Sequence, residues 1–556
     1  MDSSTGPLVH ARDTGVTPPV PAGGHGHRRA GRTLAMAAWA VAVAVVFTVY
    51  LRLAGTRAVN SDGSSQALQA WDMLHGNELL RGWMLTDVSF YTTEIPEYAL
   101  VELVRGLGPD VVRIAAAATY ALVVVLGALL AKGTATGRAA AFRIAAAAGI
   151  MLAPQLGAGT DVLLSSPDHI GTSVPVLVTW LVLDRSRPRW WVPAVTTVLL
   201  AWSLIGDQLV LVVAILPLIA VCALRAGRVL AGRRPDGSAT HVALWRATWY
   251  EAALAAGAVV AALAGTAAPR VIRGLGGYDV QPVGSQLAPL HTIASHNLPL
   301  VGDGFLLLGG AYFTGLPAGW HTWFIMLHVV GVAMAGAGIG VTAWRLRRGE
   351  DLVPQLMLVG IMLNVLAYAA GTHTANLADT REMAPVLPLA AALAGRQLPR
   401  YLTACPRVGR VAVPVLGLAL AGYLAGLGLE LRVPAAPPQN ASLTSWLTRH
   451  HFGTGLSTYW TANVVTLTSG EKVSVRPVRV IHGRVVPYFN NSRTSWYDPD
   501  RSYADYLVMG PGEPGYPGFG DWASTERTFG HPAMIYRVGA YRILVWHENL
   551  LTDMRR

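Results

Sequence analysis

Ionisable side chains lie beside long apolar segments at several points of this sequence. Asp62 follows the first such segment, Asp168 and His169 lie between the third and fourth, and Arg381 precedes the tenth. A carboxylate can take a proton from a hydroxyl group, and a guanidinium can hold a phosphate through parallel hydrogen bonds. Charged groups at membrane depth are costly and are often functional for that reason. The pattern therefore predicts acid–base and phosphate-binding chemistry at a membrane surface.

Each of these residues also has a purely structural interpretation. Asp62 could do no more than cap the helix that begins near Asn60. Arg381 could contact lipid headgroups or pair with the nearby Asp379 or Glu382. The alternatives remain open from the sequence alone.

Asp168 and His169 are the candidate ligands for a metal ion, because carboxylate and imidazole groups both bind divalent cations. They could equally orient a substrate hydroxyl, and no third ligand lies beside them in the sequence. A divalent cation is therefore left open as a cofactor. His373, eight residues before Arg381, is a further candidate for substrate binding.

The segment from Gly82 to Glu102 combines aromatic rings with carboxylates, a mixture that suits the faces and hydroxyl groups of a sugar ring. Trp83, Tyr91, Glu94 and Glu97 are the candidate substrate-binding residues in it. An aromatic belt at the lipid headgroups would explain the same rings without any ligand. The preceding segment, residues 60–74, predicts a helix whose apolar face lies on the membrane.

The composition of the chain indicates a polytopic membrane protein. Of the 556 residues, 52% are hydrophobic and only 13% are charged, a balance that is not typical of soluble proteins. Apolar runs long enough to cross a bilayer recur along the chain. We predict eleven spans and a re-entrant segment at 304–316, the spans being 34–54, 111–131, 144–164, 170–183, 191–205, 208–224, 249–268, 321–344, 352–370, 383–395 and 411–431.

The charges of the connecting loops predict the orientation of these spans. The loops assigned to the inside, with the tail, hold 22 basic residues, whereas the loops assigned to the outside hold 6. By the positive-inside rule the N-terminus is cytoplasmic and the C-terminus lies outside. Residues 1–33 are predicted to be a disordered cytoplasmic tail. The net charge of +11 then reflects membrane topology, and no nucleic-acid partner is expected.

A separate domain is predicted after the last span, at 433–556. Its sequence has a helical segment at 442–451, followed by short segments with the alternation or composition of strands. These features predict a small α/β or α+β domain outside the membrane. The predicted strands are 464–467, 473–480, 485–489, 506–509, 534–538 and 541–545, and the glycine- and proline-rich segment 510–520 is predicted to be a loop. The two cysteines, Cys222 and Cys405, lie near segments assigned to the cytoplasm, so no disulfide is expected.

The arrangement resembles the GT-C superfamily of membrane glycosyltransferases, which includes protein O-mannosyltransferases and aminoarabinose transferases. The resemblance rests on Asp62 in Asn60-Ser-Asp-Gly63 just after the first span, the helix that follows it, and Thr380-Arg-Glu-Met-Ala-Pro-Val-Leu-Pro388. The stretch from Tyr459 to Val473 is similar to the outer domains of some bacterial members. The arginine-rich composition also favours a bacterial source with a GC-rich genome.

The resemblance implies transfer of a sugar from a polyprenyl-phosphate-linked donor to a glycan, lipid or protein acceptor at the outer face of the cell membrane. Asp62 would be the general base and Arg381 would stabilise the departing phosphate. Two departures from the family pattern leave the donor and any metal requirement undecided: Gly63 follows Asp62 where many relatives have a second acidic residue, and no aromatic residue follows Arg381. A transporter or lipid flippase and a non-enzymatic envelope scaffold are the alternatives.

Overall fold

The computed structural model describes residues 24–153, 157–231, 241–282, 284–346, 351–404, 406–510 and 522–554. It divides into a first unit, Met1–Val46, and a second unit, Phe47–Arg556. The described part of the first unit is helical and belongs to the helix α1 (Gly24–Ala54). Residues 1–23 of the predicted tail, Cys405 and residues 511–520 of the predicted loop lie outside the described residues.

The part of the chain before residue 431 is predominantly helical. Helix α4 illustrates the local signals, because Pro109 occupies its first turn and Gly133, with φ +55°, ends it. After α1, the helices are α2 (Ser61–Leu74), α3 (Glu94–Arg105), α4 (Pro109–Lys132), α5 (Gly137–Ile150), α6 (Gly159–Leu164), α7 (Asp168–Gly171), α8 (Ser173–Arg185), α9 (Trp191–Gly206), α10 (Leu216–Ala231), α11 (His241–Gly274), α12 (Leu290–Thr292), α13 (Leu298–Leu308), α14 (Trp320–Leu327), α15 (Val329–Arg345), α16 (Leu352–Ala370), α17 (Val386–Ala404) and α18 (Pro406–Glu430).

Seven helical stretches within the described ranges are long and apolar enough to cross a membrane. They are Met36–Ala54, Pro109–Lys132, Leu211–Ala231, Arg246–Gly274, Trp320–Arg345, Leu352–Ala370 and Gly409–Glu430. All seven coincide with predicted spans. The other four predicted spans also fall on helices, but these are shorter, interrupted or less apolar.

The predicted span 144–164 and the predicted re-entrant segment 304–316 differ from the structure. Helix α5 ends at Ile150 and α6 begins only at Gly159, with Gly157 between them at φ +74°. An isolated residue with positive φ breaks a helix because the left-handed region is incompatible with its continuation. The segment 304–316 contains the end of α13, which stops at Leu308.

A three-stranded sheet joins parts of the chain that are far apart in sequence. Its strands are β1 (Trp83–Leu85), β2 (Asp279–Val280) and β6 (Ser492–Arg493), with β1 in the middle. Strand β1 pairs in parallel with β2 and in antiparallel with β6. The Arg493 guanidinium also pairs with Asp72 of α2 at 3.1 Å. The loop after the first span, the loop before α12 and the C-terminal domain therefore lie on the same face of the molecule.

Helix α2 is buried within the protein, contrary to the prediction that its apolar face lies on the membrane. Ala67 and Leu68 belong to a buried core together with Ile95 of α3 and Leu467 of the C-terminal domain. The apolar stripe was identified correctly, but a stripe alone does not distinguish lipid from protein as the covering surface.

The C-terminal domain is built on a six-stranded mixed sheet. Its strands are β3 (Thr454–Ser457), β4 (Ser474–Ile481), β5 (Arg484–Pro487), β7 (Tyr506–Met509), β8 (Met534–Val538) and β9 (Tyr541–Val545). They lie in the order β5-β4-β3-β7-β9-β8. Strand β3 runs parallel to both β4 and β7, and the outer pairs are antiparallel. This agrees with an α/β or α+β domain. Its helices are α19 (Ala441–Arg449), α20 (Tyr459–Thr468), α21 (Trp522–Phe529) and α22 (Leu550–Met554).

Residues 464–467 are not a strand as predicted, because they belong to α20. This helix is buried from Thr461 to Leu467, since it packs against both α2 and the sheet. A short apolar run that is buried on all sides has no amphipathic period, so its sequence does not separate strand from helix.

Candidate functional site

Asn60, and not Asp62, caps helix α2. The Asn60 side chain accepts a hydrogen bond from the backbone N–H of Gly63 at 2.8 Å. Asp62 lies in the first turn, where the positive end of the helix dipole stabilises a carboxylate. Asp62 is therefore not the N-cap, and its side chain is available for other contacts.

Arg381 contacts the Asp62 carboxylate directly. Its Nη1 donates to Asp62 Oδ2 at 2.9 Å and lies 4.0 Å from Asp168 Oδ2. These three residues come from α2, from α7 and from the 3₁₀ helix Leu377–Met383, so the fold brings together groups up to 319 positions apart. We refer to Asp62, Asp168 and Arg381 as the charged triad.

A capping box fixes the segment that carries Arg381. The Asn376 side chain accepts from the Ala378 N–H, and Asp379 Oδ2 accepts from the N–H groups of Ala375 and Asn376 at 2.9 and 2.8 Å. Asp379 is thus occupied by backbone groups, and the ion pairs of Arg381 are with Asp62 and Asp168. The guanidinium remains 38% exposed, so it can reach a ligand.

Asp168 is oriented by two polar neighbours in addition to Arg381. Ser166 Oγ donates to its Oδ2 at 2.7 Å, and Gln66 Nε2 donates to its Oδ1 at 3.3 Å. Burial raises the pKa of Asp168, the adjacent Asp62 raises it further, and Arg381 opposes both. Although burial disfavours a charged Arg381, the two carboxylates raise the pKa of its guanidinium above the ordinary value, so it stays a cation.

Tyr459 of the C-terminal domain completes the surroundings of Asp62. Its hydroxyl donates to Asp62 Oδ1 at 2.7 Å and accepts from Asn491 Nδ2 at 3.2 Å. Asn491 Oδ1 in turn accepts from Gln69 Nε2 of α2 at 3.3 Å. Burial raises the pKa of Tyr459 far above its usual range, so the phenol remains an O–H donor. The sequence contained no signal for this role beyond the position of Tyr459 at the start of the stretch that resembles bacterial outer domains.

We predict that Tyr459→Phe lowers any activity that depends on the Asp62 carboxylate by about tenfold, because one hydrogen bond to a charged group contributes roughly 1.5 kcal/mol. The carboxylate would lose its fixed orientation while Arg381 remains in place. The turnover number of the purified variant measures the effect. Tyr497→Phe, a buried tyrosine of the same domain whose hydroxyl donates to Pro477 O, is the control. An equal loss in both variants would mean that Tyr459 acts only through domain stability.

Beside Arg381 lies a cavity of about 530 Å³. His169, His373 and Glu382 line it, so two of the predicted substrate-binding residues face the same space as the arginine. Of the charged triad, Arg381 forms part of the wall of this space, which is large enough for a ligand. We refer to this space as the Arg381 cavity.

His169 is held by Asp207, a residue from the α9–α10 connection. Its Nδ1 lies 2.9 Å from Asp207 Oδ2, and Asp207 also accepts from Thr172 Oγ1 and from the Leu209 N–H. Burial would lower the pKa of His169, but the Asp207 carboxylate outweighs it and raises the pKa to about 9. Burial would raise the pKa of Asp207, and His169 with these hydrogen bonds lowers it instead. The wall of the Arg381 cavity therefore carries a second cation at neutral pH.

Asp168 and His169 do not converge as ligands for one metal ion. Asp168 faces Arg381, whereas His169 faces Asp207. Within the described ranges of the chain, no three His, Cys, Asp or Glu side chains are grouped so that they could hold a metal. The side chains at this pair therefore do not fit a divalent cation.

Trp83, Tyr91, Glu94 and Glu97 are not brought to the Arg381 cavity. Trp83 is buried, donates from Nε1 to Asp72 Oδ2 at 2.7 Å and packs on Trp496. The Tyr91 hydroxyl donates to the Glu78 backbone oxygen at 2.8 Å. Glu94 and Glu97 line a different cavity. The two aromatic residues have structural roles in the outer loops, so we do not include any of the four in the Arg381 site.

Comparisons with known proteins support the fold. No protein-family model matches the sequence. The curated proteins also contain no match. Among solved structures, ArnT from Cupriavidus metallidurans in the apo state is 13% identical, with a TM-score of 0.51 over 92% of this chain and 98% of that one. The same protein bound to undecaprenyl phosphate is 12% identical, with a TM-score of 0.49 over 91% and 98%. The oligosaccharyltransferase of Archaeoglobus fulgidus, tethered with an acceptor peptide, is 14% identical, with a TM-score of 0.45 over 85% and 69%.

The near-complete coverage of both chains by the apo ArnT superposition shows that the two proteins share a fold. The predicted resemblance to the GT-C superfamily is therefore confirmed at the level of fold. The chain therefore has the fold of apo ArnT, and its described ranges contain seven helices that are long and apolar enough to cross a membrane.

Proposed function

We propose that the protein transfers a sugar from a polyprenyl-phosphate-linked donor to an acceptor hydroxyl at the outer face of the cell membrane. The observation that carries the proposal is the contact between Asp62 and Arg381 beside the Arg381 cavity. A base and a phosphate-binding cation are the two groups that such a transfer needs. The GT-C fold shared with ArnT supports the same class of reaction.

In the proposed reaction the donor phosphate enters the Arg381 cavity and binds the Arg381 guanidinium. Arg381 leaves Asp62 Oδ2, which then accepts the proton of the acceptor hydroxyl. The acceptor oxygen forms a bond to the anomeric carbon as the bond between that carbon and the phosphate oxygen breaks. The sugar is now on the acceptor, the proton is on Asp62, and polyprenyl phosphate is the leaving group, held by Arg381. Protonated His169, in the wall of the same cavity and paired with Asp207 through Nδ1, offers its other ring N–H to this anion.

Asp62 is prepared for this role by the contacts of its other oxygen. Tyr459 holds Oδ1, so movement of Arg381 frees Oδ2 without releasing the carboxylate. Asp168 stays beside the guanidinium as a counter-ion, because its own hydrogen bonds come from Ser166 and Gln66. The exchange of partners by Arg381 therefore couples donor binding to activation of the base.

The orientation of the protein is also a proposal. The shared sheet and the Asp72–Arg493 pair join the C-terminal domain to the first outer loop, and the Asp62–Tyr459 contact lies on the same face. The distribution of arginine predicts that this face is outside. We infer that the reaction takes place at the outer surface, where the C-terminal domain covers the site.

The transporter and scaffold alternatives are less consistent with the charged triad. A scaffold does not need Asp62, Asp168 and Arg381 to meet beside a cavity, and bringing charged groups together out of water carries a desolvation cost. Many transporters have two related halves with matching broken spans, and no such pair is apparent in the sequence.

The proposal is tested by incubating purified protein with a panel of polyprenyl-phosphate sugars and measuring release of polyprenyl phosphate. Release that requires an added acceptor and disappears in Asp62→Asn would support the proposal and identify the donor. Vesicles containing the protein provide the counter-experiment, because movement of labelled lipid between leaflets without release would favour a flippase.

The pH dependence of donor binding should follow the protonation of His169. In the wild type its pKa of about 9 keeps it cationic at neutral pH, so KM for the donor should rise as the pH passes upward through about 9. In Asp207→Asn the carboxylate that raises the His169 pKa is lost, whereas burial, which lowers that pKa, remains. The increase in KM should therefore move to about pH 6.5 or below. His169→Gln should abolish this pH-dependent increase in KM, and its KM should already be high at pH 7. If KM still increases near pH 9 in His169→Gln, another group controls donor binding.

A further inference from the structure

Glu94 and Glu97 line a second cavity of about 190 Å³ between α3, α4, α8 and α9. A single water needs roughly 15 Å³, so the space is more than ten times larger than an ordinary hydration site. None of the residues that line it also lines the Arg381 cavity. We refer to it as the Glu94 cavity.

The Glu94 side chain has an unused hydrogen-bonding atom in this cavity. Its Oε2 accepts from the Thr93 hydroxyl, but its Oε1 has no partner although the residue is only 1% exposed. A buried carboxyl oxygen without a partner is costly, so such an atom calls for a ligand or another explanation. Gly171 makes room for it, because a Cβ at that position would lie 2.0 Å from Oε1. The backbone is therefore shaped around a carboxyl group in the wall of the cavity.

The remaining lining combines hydroxyl groups with apolar surface. Glu97 accepts from Thr119 Oγ1 at 2.6 Å, leaving its other oxygen for a ligand. Trp202 and Leu122 also line the cavity and are 53% and 44% exposed, so the cavity adjoins the outer surface of the apolar helices α4 and α9. Burial raises the pKa of Glu97 to about 7 and raises that of Glu94 well above its usual range. Protonated carboxyl groups both donate and accept, as sugar hydroxyls require.

The charges of the two cavities select different ligands. Among its described lining residues, the Glu94 cavity has two carboxyl groups and no basic side chain, whereas the Arg381 cavity has Arg381 and His169 beside four carboxyl groups. A phosphate needs a cationic partner, which the lining around Glu94 and Glu97 lacks, so it would not bind there. Hydroxyl groups, carboxyl groups and an aromatic face together match a pyranose ring.

We propose that the Glu94 cavity binds the neutral, polyhydroxylated headgroup of a membrane amphiphile, with the alkyl chain leaving past Leu122 and Trp202. The identification of this amphiphile as the acceptor rests on the transferase function proposed above. Position favours it, because the single helical turn α7 presents Asp168 to the charged triad and Gly171 to the Glu94 cavity. An acceptor headgroup held here would lie one helical turn from Asp168, which contacts Arg381 in the charged triad.

The test uses the full chain in phosphatidylcholine nanodiscs and an alkyl glucoside that carries a photoreactive diazirine in its chain. Labelling should saturate and map to peptides containing Leu122 or Val174. Octyl glucoside should compete, whereas octyl phosphate and octyltrimethylammonium should not. Labelling that does not saturate, or that all three competitors suppress equally, would overturn the proposal and indicate an ordinary lipid-facing crevice.

Trp202→Leu should weaken labelling about fivefold, because the aromatic platform is lost. Trp190→Leu is the matched control, since Trp190 is 81% exposed, precedes the same helix and does not line the cavity. Gly171→Ala should also weaken labelling, because the new methyl group would displace Glu94. Unchanged labelling in both Trp202→Leu and Gly171→Ala would exclude this cavity. Binding is measured without turnover, so failure of donor release with intact labelling would reject the transferase and leave this site standing.

Discussion

Replacing Asp62 by Asn should lower the rate of sugar transfer by about 10²- to 10⁴-fold, the contribution that a general base usually makes. Asparagine has the same shape as aspartate but cannot take the proton of the acceptor hydroxyl. The expected loss is in the turnover number, with KM for the donor little changed, because the phosphate is bound by Arg381. Single-turnover measurements with saturating donor and acceptor would separate the chemical step from binding.

The Asp62→Asn variant should remain folded. Asn60 caps helix α2 and Tyr459 can still donate to the amide oxygen at position 62, so neither the helix nor the domain contact depends on the negative charge. Asp110→Asn is the matched control, since Asp110 is an acidic residue in the first turn of α4, as Asp62 is in α2, and its side chain is 60% exposed and outside the charged triad. Full activity in Asp62→Asn would remove Asp62 as the base.

Much of this architecture was accessible from the sequence because membrane spans and loop charge follow simple rules. All seven membrane-length helices of the described ranges were predicted, since hydrocarbon requires long apolar runs. Asp62 and Arg381 were also identified, because charged residues at the ends of such runs are rare and costly. The predicted strands of the C-terminal domain agreed with the structure except at 464–467.

The contacts between distant segments were not accessible. Tyr459 approaches Asp62 from 397 positions away, and Arg493 approaches Asp72 from 421 positions away. No local period or motif encodes such a meeting, which depends on how α2 and α20 pack. The same limit applies to Glu94 and Glu97, predicted to bind a sugar, because their spacing shows a shared helix but not which cavity that helix faces.

The pairing of Arg381 with Asp62 provides the second large prediction. Arg381→Gln should lower kcat/KM for the donor by about 10²- to 10³-fold, which is typical for loss of one group that stabilises a developing negative charge. Arg381→Lys should recover part of the activity, because it keeps the charge but cannot form two parallel hydrogen bonds to a phosphate. Initial rates of polyprenyl phosphate release over a range of donor concentrations would measure both effects.

A double variant distinguishes a catalytic from a structural function for this ion pair. If Arg381 only neutralised Asp62 and Asp168, its loss would leave two facing carboxylates, and adding Asp62→Asn to Arg381→Gln would restore thermal stability together with activity. If Arg381 binds the leaving phosphate, the double variant should regain stability but be less active than Asp62→Asn alone. Both outcomes include the same recovery in Tm, because the neutral pair formed by Asp62→Asn and Arg381→Gln can replace the lost ion pair. They differ in the rate of transfer, because this neutral pair supplies neither the proton acceptor nor the phosphate-binding cation.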